Sequence, residues 1–149
     1  RLPLSVAYTF TDARFQETFR GGGGDFGSGQ INKGDLIPFT TPQMLTLSLA
    51  IENRRFNATL VGRYLGETRT LPGQGTTRIP IQGVGFTEVN AIAGFWLFDL
   101  SGNYKITKVL TAFSTLTNLT NTRAIAANLP NGYMPNMPFA VNIGLKVGL

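Results

Sequence analysis

Apolar and polar residues alternate with a period of two in six separate stretches of the chain, and in an extended strand that spacing sends successive side chains to opposite faces. In the first, Leu2, Leu4, Val6, Tyr8 and Phe10 oppose Ser5, Ala7, Thr9 and Thr11. In the second, Leu45, Leu47, Leu49 and Ile51 oppose Thr46, Ser48, Ala50 and Glu52. After a short Asn53-Arg54-Arg55 reversal, Phe56, Ala58, Leu60, Gly62 and Tyr64 oppose Asn57, Thr59, Val61 and Arg63. The fourth stretch sets Trp96, Phe98, Leu100, Gly102, Tyr104 and Ile106 against Leu97, Asp99, Ser101, Asn103 and Lys105. A tight turn at Thr107-Lys108 leads into Val109 to Leu119, where Thr and Ser stand on both faces and the pattern weakens. The last stretch has Phe139, Val141, Ile143, Leu145, Val147 and Leu149 against Ala140, Asn142, Gly144, Lys146 and Gly148.

These strands are joined by long intervals, Arg20 to Pro42, Gly66 to Phe95 and Thr120 to Pro138, alternating with the short turns near Asn53 and Thr107. In an antiparallel meander the long intervals then share one rim and the turns the other, an asymmetry typical of transmembrane barrels. Strands of about 9 to 11 residues suit a tilted crossing of the hydrocarbon layer. Tyr8, Phe10, Tyr64, Trp96 and Phe98 fall at the long-interval ends, where an aromatic girdle would sit, and Phe56 and Tyr104 mark the other rim. The pattern predicts an all-β antiparallel transmembrane barrel segment of about six strands. Single-chain barrels begin at about eight strands, and a bilayer-spanning sheet must close to satisfy its backbone. The expectation is therefore a segment, residues 1–149, of a larger barrel domain, and an opening at Arg1 without Met agrees.

Composition changes the picture in two ways. Charged residues are only 14% of the chain, with 18 Gly and 11 Phe, where a soluble domain carries about 25% Asp, Glu, Lys and Arg. No run nears the roughly 18 apolar residues of a membrane-spanning helix. The chain also has no Cys and no His, which removes thiolate nucleophiles, imidazole bases and ordinary zinc sites. An enzyme, a metal site and a cofactor are accordingly not expected. The net charge of +5 comes from scattered Lys and Arg, without the basic stripe of a nucleic-acid binder.

The order of several motifs resembles a family. Tyr8-Thr9-Phe10-Thr11-Asp12-Ala13, within Leu2 to Phe19, resembles a late barrel strand of TonB-dependent receptors, and Gly34-Asp35-Leu36-Ile37-Pro38-Phe39 resembles the segment re-entering the barrel. Phe98-Asp99-Leu100-Ser101-Gly102-Asn103-Tyr104-Lys105-Ile106 is similar to the antepenultimate strand, and Thr117-Asn118-Leu119-Thr120-Asn121 to the signature after the penultimate one. Leu129 to Pro138 resembles the Pro/Gly-rich final loop before the terminal strand. The chain departs from the family in ending on Leu149 in place of an aromatic residue, and in having Asn136-Met137-Pro138-Phe139 where Gly-x-Pro-Arg is common.

The resemblance implies a barrel of about 22 strands with a plugged lumen in the bacterial outer membrane, importing a scarce nutrient such as a ferric siderophore. Its implied partners are the rest of the barrel and the plug, lipid and lipopolysaccharide, the nutrient, and the TonB system through a plug outside this sequence. Candidate ligand contacts are the loop residues Arg69, Arg78 and Arg123 with lumen-facing Arg63, because guanidinium pairs bidentately with the carboxylates of an anionic chelate. Trp96, with Phe86 and Phe95, could cap a ligand, although a girdle position accounts for Trp96 equally well. The competing role for exposed Arg is pairing with lipopolysaccharide or nearby acids. Gly21 to Gly24 lacks the Lys-Ser/Thr of a phosphate loop and reads as a loop tip. Asp12, Asp25, Asp35 and Glu67 match no calcium-loop spacing. Two alternatives stand beside the importer, a passive porin or structural barrel, and a soluble β-sandwich or adhesin whose apolar faces meet each other.

Overall fold

The computed structural model describes residues 1–23, 29–73, 77–81, 85–89, 91–127 and 134–148, and within them all side chains except those of 77–89 and 127. Every regular element among them is a strand. In chain order these are β1 (Leu4–Phe10), β2 (Phe19–Arg20), β3 (Gln30–Ile31), β4 (Gln43–Glu52), β5 (Phe56–Leu65), β6 (Thr68–Arg69), β7 (Thr77–Ile81), β8 (Gly85–Val89), β9 (Ala91–Ile92), β10 (Phe95–Lys105), β11 (Leu110–Thr117), β12 (Ile125–Ala127), β13 (Met134–Pro135) and β14 (Ala140–Val147). The six long strands form one antiparallel sheet in the order β1-β4-β5-β10-β11-β14. They are the six alternating stretches of the sequence, each end within two residues of the expected one, with β4, β5 and β10 running one or two residues beyond it at one end.

Register turns the alternation of each strand into a continuous surface. Leu4, Leu49, Leu60, Leu100, Leu116 and Val141 are successive partners across the whole sheet. Nearer one rim, Tyr8, Leu45, Tyr64 and Trp96 make a second row on the same face. The opposite face carries rows such as Ala50-Thr59-Ser101-Thr115-Asn142. Because the side-chain period is two, a one-residue slip anywhere would exchange the two faces.

The apolar face is uncovered, with Leu4 68%, Val6 60%, Leu145 65% and Ile143 78% exposed. Among the described residues the buried apolar side chains larger than Ala are Ile31, Pro38 and Ile92, all in the long connections. No second broad sheet lies against the first, the others described being two-stranded, so the apolar faces of a sandwich do not meet here. Each Leu or Val left in water forgoes about 1.5–3 kcal/mol of burial, a cost that cover from outside the described residues would remove.

Two tight turns close one rim. At the first, the Asn53 N–H donates to the Phe56 carbonyl at 2.8 Å while Asn53 Oδ1 accepts the Arg54 N–H at 2.6 Å. At the second, the Ile106 N–H donates to the Leu110 carbonyl at 2.9 Å, and Thr107 Oγ1 accepts the Leu110 N–H at 3.0 Å. Side chains that bond their own backbone are what make Asn and Thr turn residues. All three long connections leave the other rim.

Those connections hold more order than the sequence suggests. Within them pair β2 with β3, β6 with β9, β7 with β8, and β12 with β13. Ladders of two residues leave no alternation to detect, and in β7 the ladder-breaking Pro80 obscures a five-residue strand. The weak pattern of β11 also has a local cause. Phe113 stands on the polar face and Ser114 on the apolar one, in register with Gly144 and Ile143. The Phe113 ring lies over Gly144, where an added Cβ would collide with Cζ.

Candidate functional site

The rim of the long connections gathers the polar chemistry. Its best-defined part begins at Asn118, just past the end of β11. Asn118 is 1% exposed, and its φ of 51° lies in the left-handed region that Asn tolerates better than other side-chain-bearing residues. Its amide nitrogen donates to the carbonyls of Thr122 at 3.0 Å and Met137 at 2.9 Å, and its Oδ1 accepts the Thr122 N–H at 2.9 Å. One side chain thus holds both ends of the third connection. Asn136 repeats the device, accepting from the Ala124 N–H and donating to the Thr122 carbonyl, both at 2.9 Å. Asn121, also left-handed at φ 48°, accepts the Phe139 N–H at 3.2 Å where β14 is about to begin.

The hub connects to the sheet through Asp99 on the polar face of β10. Asp99 Oδ1 accepts the Asn118 N–H at 2.8 Å, and Oδ2 pairs with the Arg63 guanidinium of β5. Arg63 is half-exposed, with Asp99 largely covered beneath it. The guanidinium stays within reach of solvent on the polar face while its partner is fixed from below.

The first and second connections are laced together. Leu36 bridges both Arg14 and Gly73, and its N–H donates to the Gly73 carbonyl at 3.1 Å. The Phe39 N–H donates to the Arg69 carbonyl at 2.7 Å, and the Thr41 and Thr68 hydroxyls share a hydrogen bond of 2.7 Å. Under this crossing Arg69 is 6% exposed. Its Nε donates to the Leu71 carbonyl at 3.2 Å, while Nη1 is buried without a hydrogen-bond partner among the described residues. A cavity of about 100 Å³ lined by Arg69, Glu67, Thr11 and Thr40 adjoins it. Leaving such a nitrogen unsatisfied costs about 1–3 kcal/mol or more, the sharpest polar demand at this rim. A neighbouring cavity of about 190 Å³ is lined by Phe39 from the first connection, Ile92 from the second and Ala126 from the third, with Phe95 below.

The residues singled out by sequence thus fall into different settings. Arg63 is on the polar face, Arg69 is buried under the loop crossing, and Arg123 is exposed one residue past the Thr122 of the hub. Arg78 lies on β7 in register with Glu88, its side chain outside the described residues, as is that of Phe86 on β8. Trp96 is on the apolar face, its ring 5.2 Å from Tyr64 and stacked on Phe98 at 5.7 Å. That cluster leans over Gly62, where a Cβ would meet Phe98 Cε1 at 2.9 Å. The burial of Arg69 and the places of Phe39, Ile92 and Ala126 had no sequence signal, since they depend on one connection crossing another. Among the described residues no three His, Cys, Asp or Glu side chains gather to hold a metal ion.

No protein-family model matches the chain, and no curated protein matches its sequence. Among solved structures it is similar to the ferric-catecholate import receptor Fiu from Escherichia coli K12 in its closed form, with a TM-score of 0.67 and 20% identity. The match covers 98% of this chain and 18% of that one, so the chain spans about a fifth of the receptor's length. At this identity the likeness concerns the fold, an antiparallel β-sheet of the kind that forms the wall of a barrel receptor.

Proposed function

We propose that the chain supplies barrel wall and extracellular loops of a TonB-dependent outer-membrane receptor that imports a scarce nutrient such as a ferric siderophore. The observation that carries this reading is the uncovered apolar face, aligned in register over six strands, with three long connections on one rim and tight turns on the other. Ten residues of β4 or β5 extend about 33 Å. At the roughly 45° tilt of barrel strands they cover about 24 Å, close to the apolar band of about 25 Å on such barrels. β1 and β14 each have one partner in the described sheet, and in lipid an unpaired edge is untenable. Further strands of a barrel of about 22 would pair with both, and a plug would fill the space against the polar face.

In this reading the long connections face the outside, where an anionic chelate would meet Arg63, Arg78 and Arg123 and, once the loop crossing opens, Arg69, with Trp96 in the membrane-interface girdle on the other face of the sheet. The work is transport, without a chemical step. The similarity to an import receptor for a ferric catecholate supports the direction of the proposal, while the chemistry of the nutrient is open to test. The experiment is uptake of radiolabelled ferric siderophores of catecholate and hydroxamate type by cells carrying or lacking the gene, with and without a functional TonB system. Loss of energy-dependent uptake on deletion is the expected result. Uptake that is passive and indifferent to TonB would instead make the barrel a porin.

A further inference from the structure

The rim opposite the long connections carries a second concentration of charge. Lys105 at the end of β10 and Lys146 on β14 are both register partners of Thr111 on β11, so both project from the polar face with one strand between them, about 10 Å apart. Lys108 comes from the β10–β11 turn, and Arg55 from the β4–β5 turn, its carbonyl accepting the Lys105 N–H at 2.7 Å. These four cations line one cavity of about 380 Å³. Asn57 and Asn103 are in its wall, joined by a 2.8 Å bond from Asn103 Nδ2 to Asn57 Oδ1, which leaves the Asn57 amide nitrogen to donate.

Among the described residues no carboxylate lines the cavity, and Glu52, the register partner of Asn57, stands outside it. Among the described residues the ion pairs are Arg14–Asp12 and Arg63–Asp99, so none of the four cations has an acidic partner there. Four like charges around one concavity focus a positive potential that favours a bound anion. Lys and Arg with amide donors and no acceptor acid suit phosphate oxygens, Lys acting as a point charge and Arg as a fork. The volume, roughly a dozen waters at about 30 Å³ each, admits a phosphate group with an attached ester.

We infer that this short-turn rim is a binding site for a phosphate-bearing anion, held by Arg55, Lys105, Lys108 and Lys146. The same chemistry is offered by free phosphate and by the headgroup of an anionic phospholipid at the membrane edge. The headgroup source rests on the membrane reading above, and in that reading either anion would enter from the turn side of the rim, since a plug would lie against the polar face.

The test uses the full-length protein extracted from membranes into an uncharged detergent. In one arm it is titrated calorimetrically with pyrophosphate. In the other, native mass spectrometry follows retention of phosphatidylglycerol against phosphatidylcholine from mixed micelles. The Lys105→Gln/Lys146→Gln variant and the turn variant Lys108→Gln are compared with Arg54→Gln, which removes the same charge outside the cavity. Saturable pyrophosphate binding, weakened at least about tenfold in the double variant and unchanged in Arg54→Gln, supports a site for free phosphate. Selective phosphatidylglycerol retention with the same variant pattern supports a headgroup site. Binding absent from both arms, or equal in all variants while unfolding temperatures agree, overturns the inference.

Discussion

Asp99 Oδ1 accepts the backbone N–H of Asn118 at 2.8 Å, fixing the start of the third long connection to the polar face of β10. The other oxygen of the same carboxylate holds Arg63. One side chain therefore couples the sheet, a candidate ligand contact and the connection that returns to β14. Sequence spacing alone, 19 residues between the partners, would not have joined them.

Replacing Asp99 separates the two roles. Asp99→Asn keeps an acceptor for the Asn118 N–H and loses the ion pair, which at a half-exposed site costs about 1 kcal/mol or less. Asp99→Ala also strands a part-buried N–H and should cost about 1–3 kcal/mol more. Urea midpoints of the detergent-solubilised protein measure both, and equal losses in the two variants would deny the second role.

Asn118→Ala should be among the most damaging changes outside the sheet. It removes two donated bonds and one accepted bond, each worth about 1 kcal/mol, and puts Ala in a left-handed conformation costing about 1–2 kcal/mol. Asn118→Gly relieves the backbone part alone. Thermal unfolding should rank Gly between Asn and Ala, and proteolysis should find the third connection opened in both variants.

Gly144→Ala would push a methyl group into the Phe113 ring, at a cost of about 1–3 kcal/mol from overpacking. Removing the ring first removes the conflict. In a double-mutant cycle with Phe113→Ala, the Gly144→Ala penalty should largely vanish, giving a coupling of about 1 kcal/mol or more. Additive losses would mean that the ring stands elsewhere.

An arginine placed in the middle of the apolar face tests what that face meets. Leu60→Arg should destabilise the protein in lipid by about 2–4 kcal/mol if hydrocarbon lies against it, whereas Thr59→Arg on the other face should cost far less. Folding yields into vesicles measure the difference. Similar small losses for both would place the apolar face outside the bilayer.

The strands were legible because a sheet with one apolar and one polar face imposes a period of two, and the Leu4-to-Val141 row is that period read sideways. The face of Phe113 was not, because a Gly partner makes room for a ring against the trend. Neither were the small ladders of the long connections, whose partners are set by crossings such as Leu36 with Gly73. The Asn118-Leu119-Thr120-Asn121 motif was visible as a family likeness, but its physics lay in two left-handed asparagines and a buried amide. For the candidate site the residue types were readable and their settings were not. Arg69 is under a loop, Arg63 is on an open face, and Trp96 is on the side facing away from Arg63.

The lacing of the first connection to the second has a dynamic consequence. Lifting Leu36 away breaks the bond to Gly73, and withdrawing Phe39 breaks the bond to Arg69, so neither segment opens without releasing the other. The two crossing segments should therefore open together, and the amides of Leu36 and Phe39 should exchange with deuterium at matching rates. The third connection is tied by its own asparagines but meets the other two where Ala126 shares a cavity with Ile92 and Phe39, so its opening should be felt across the rim.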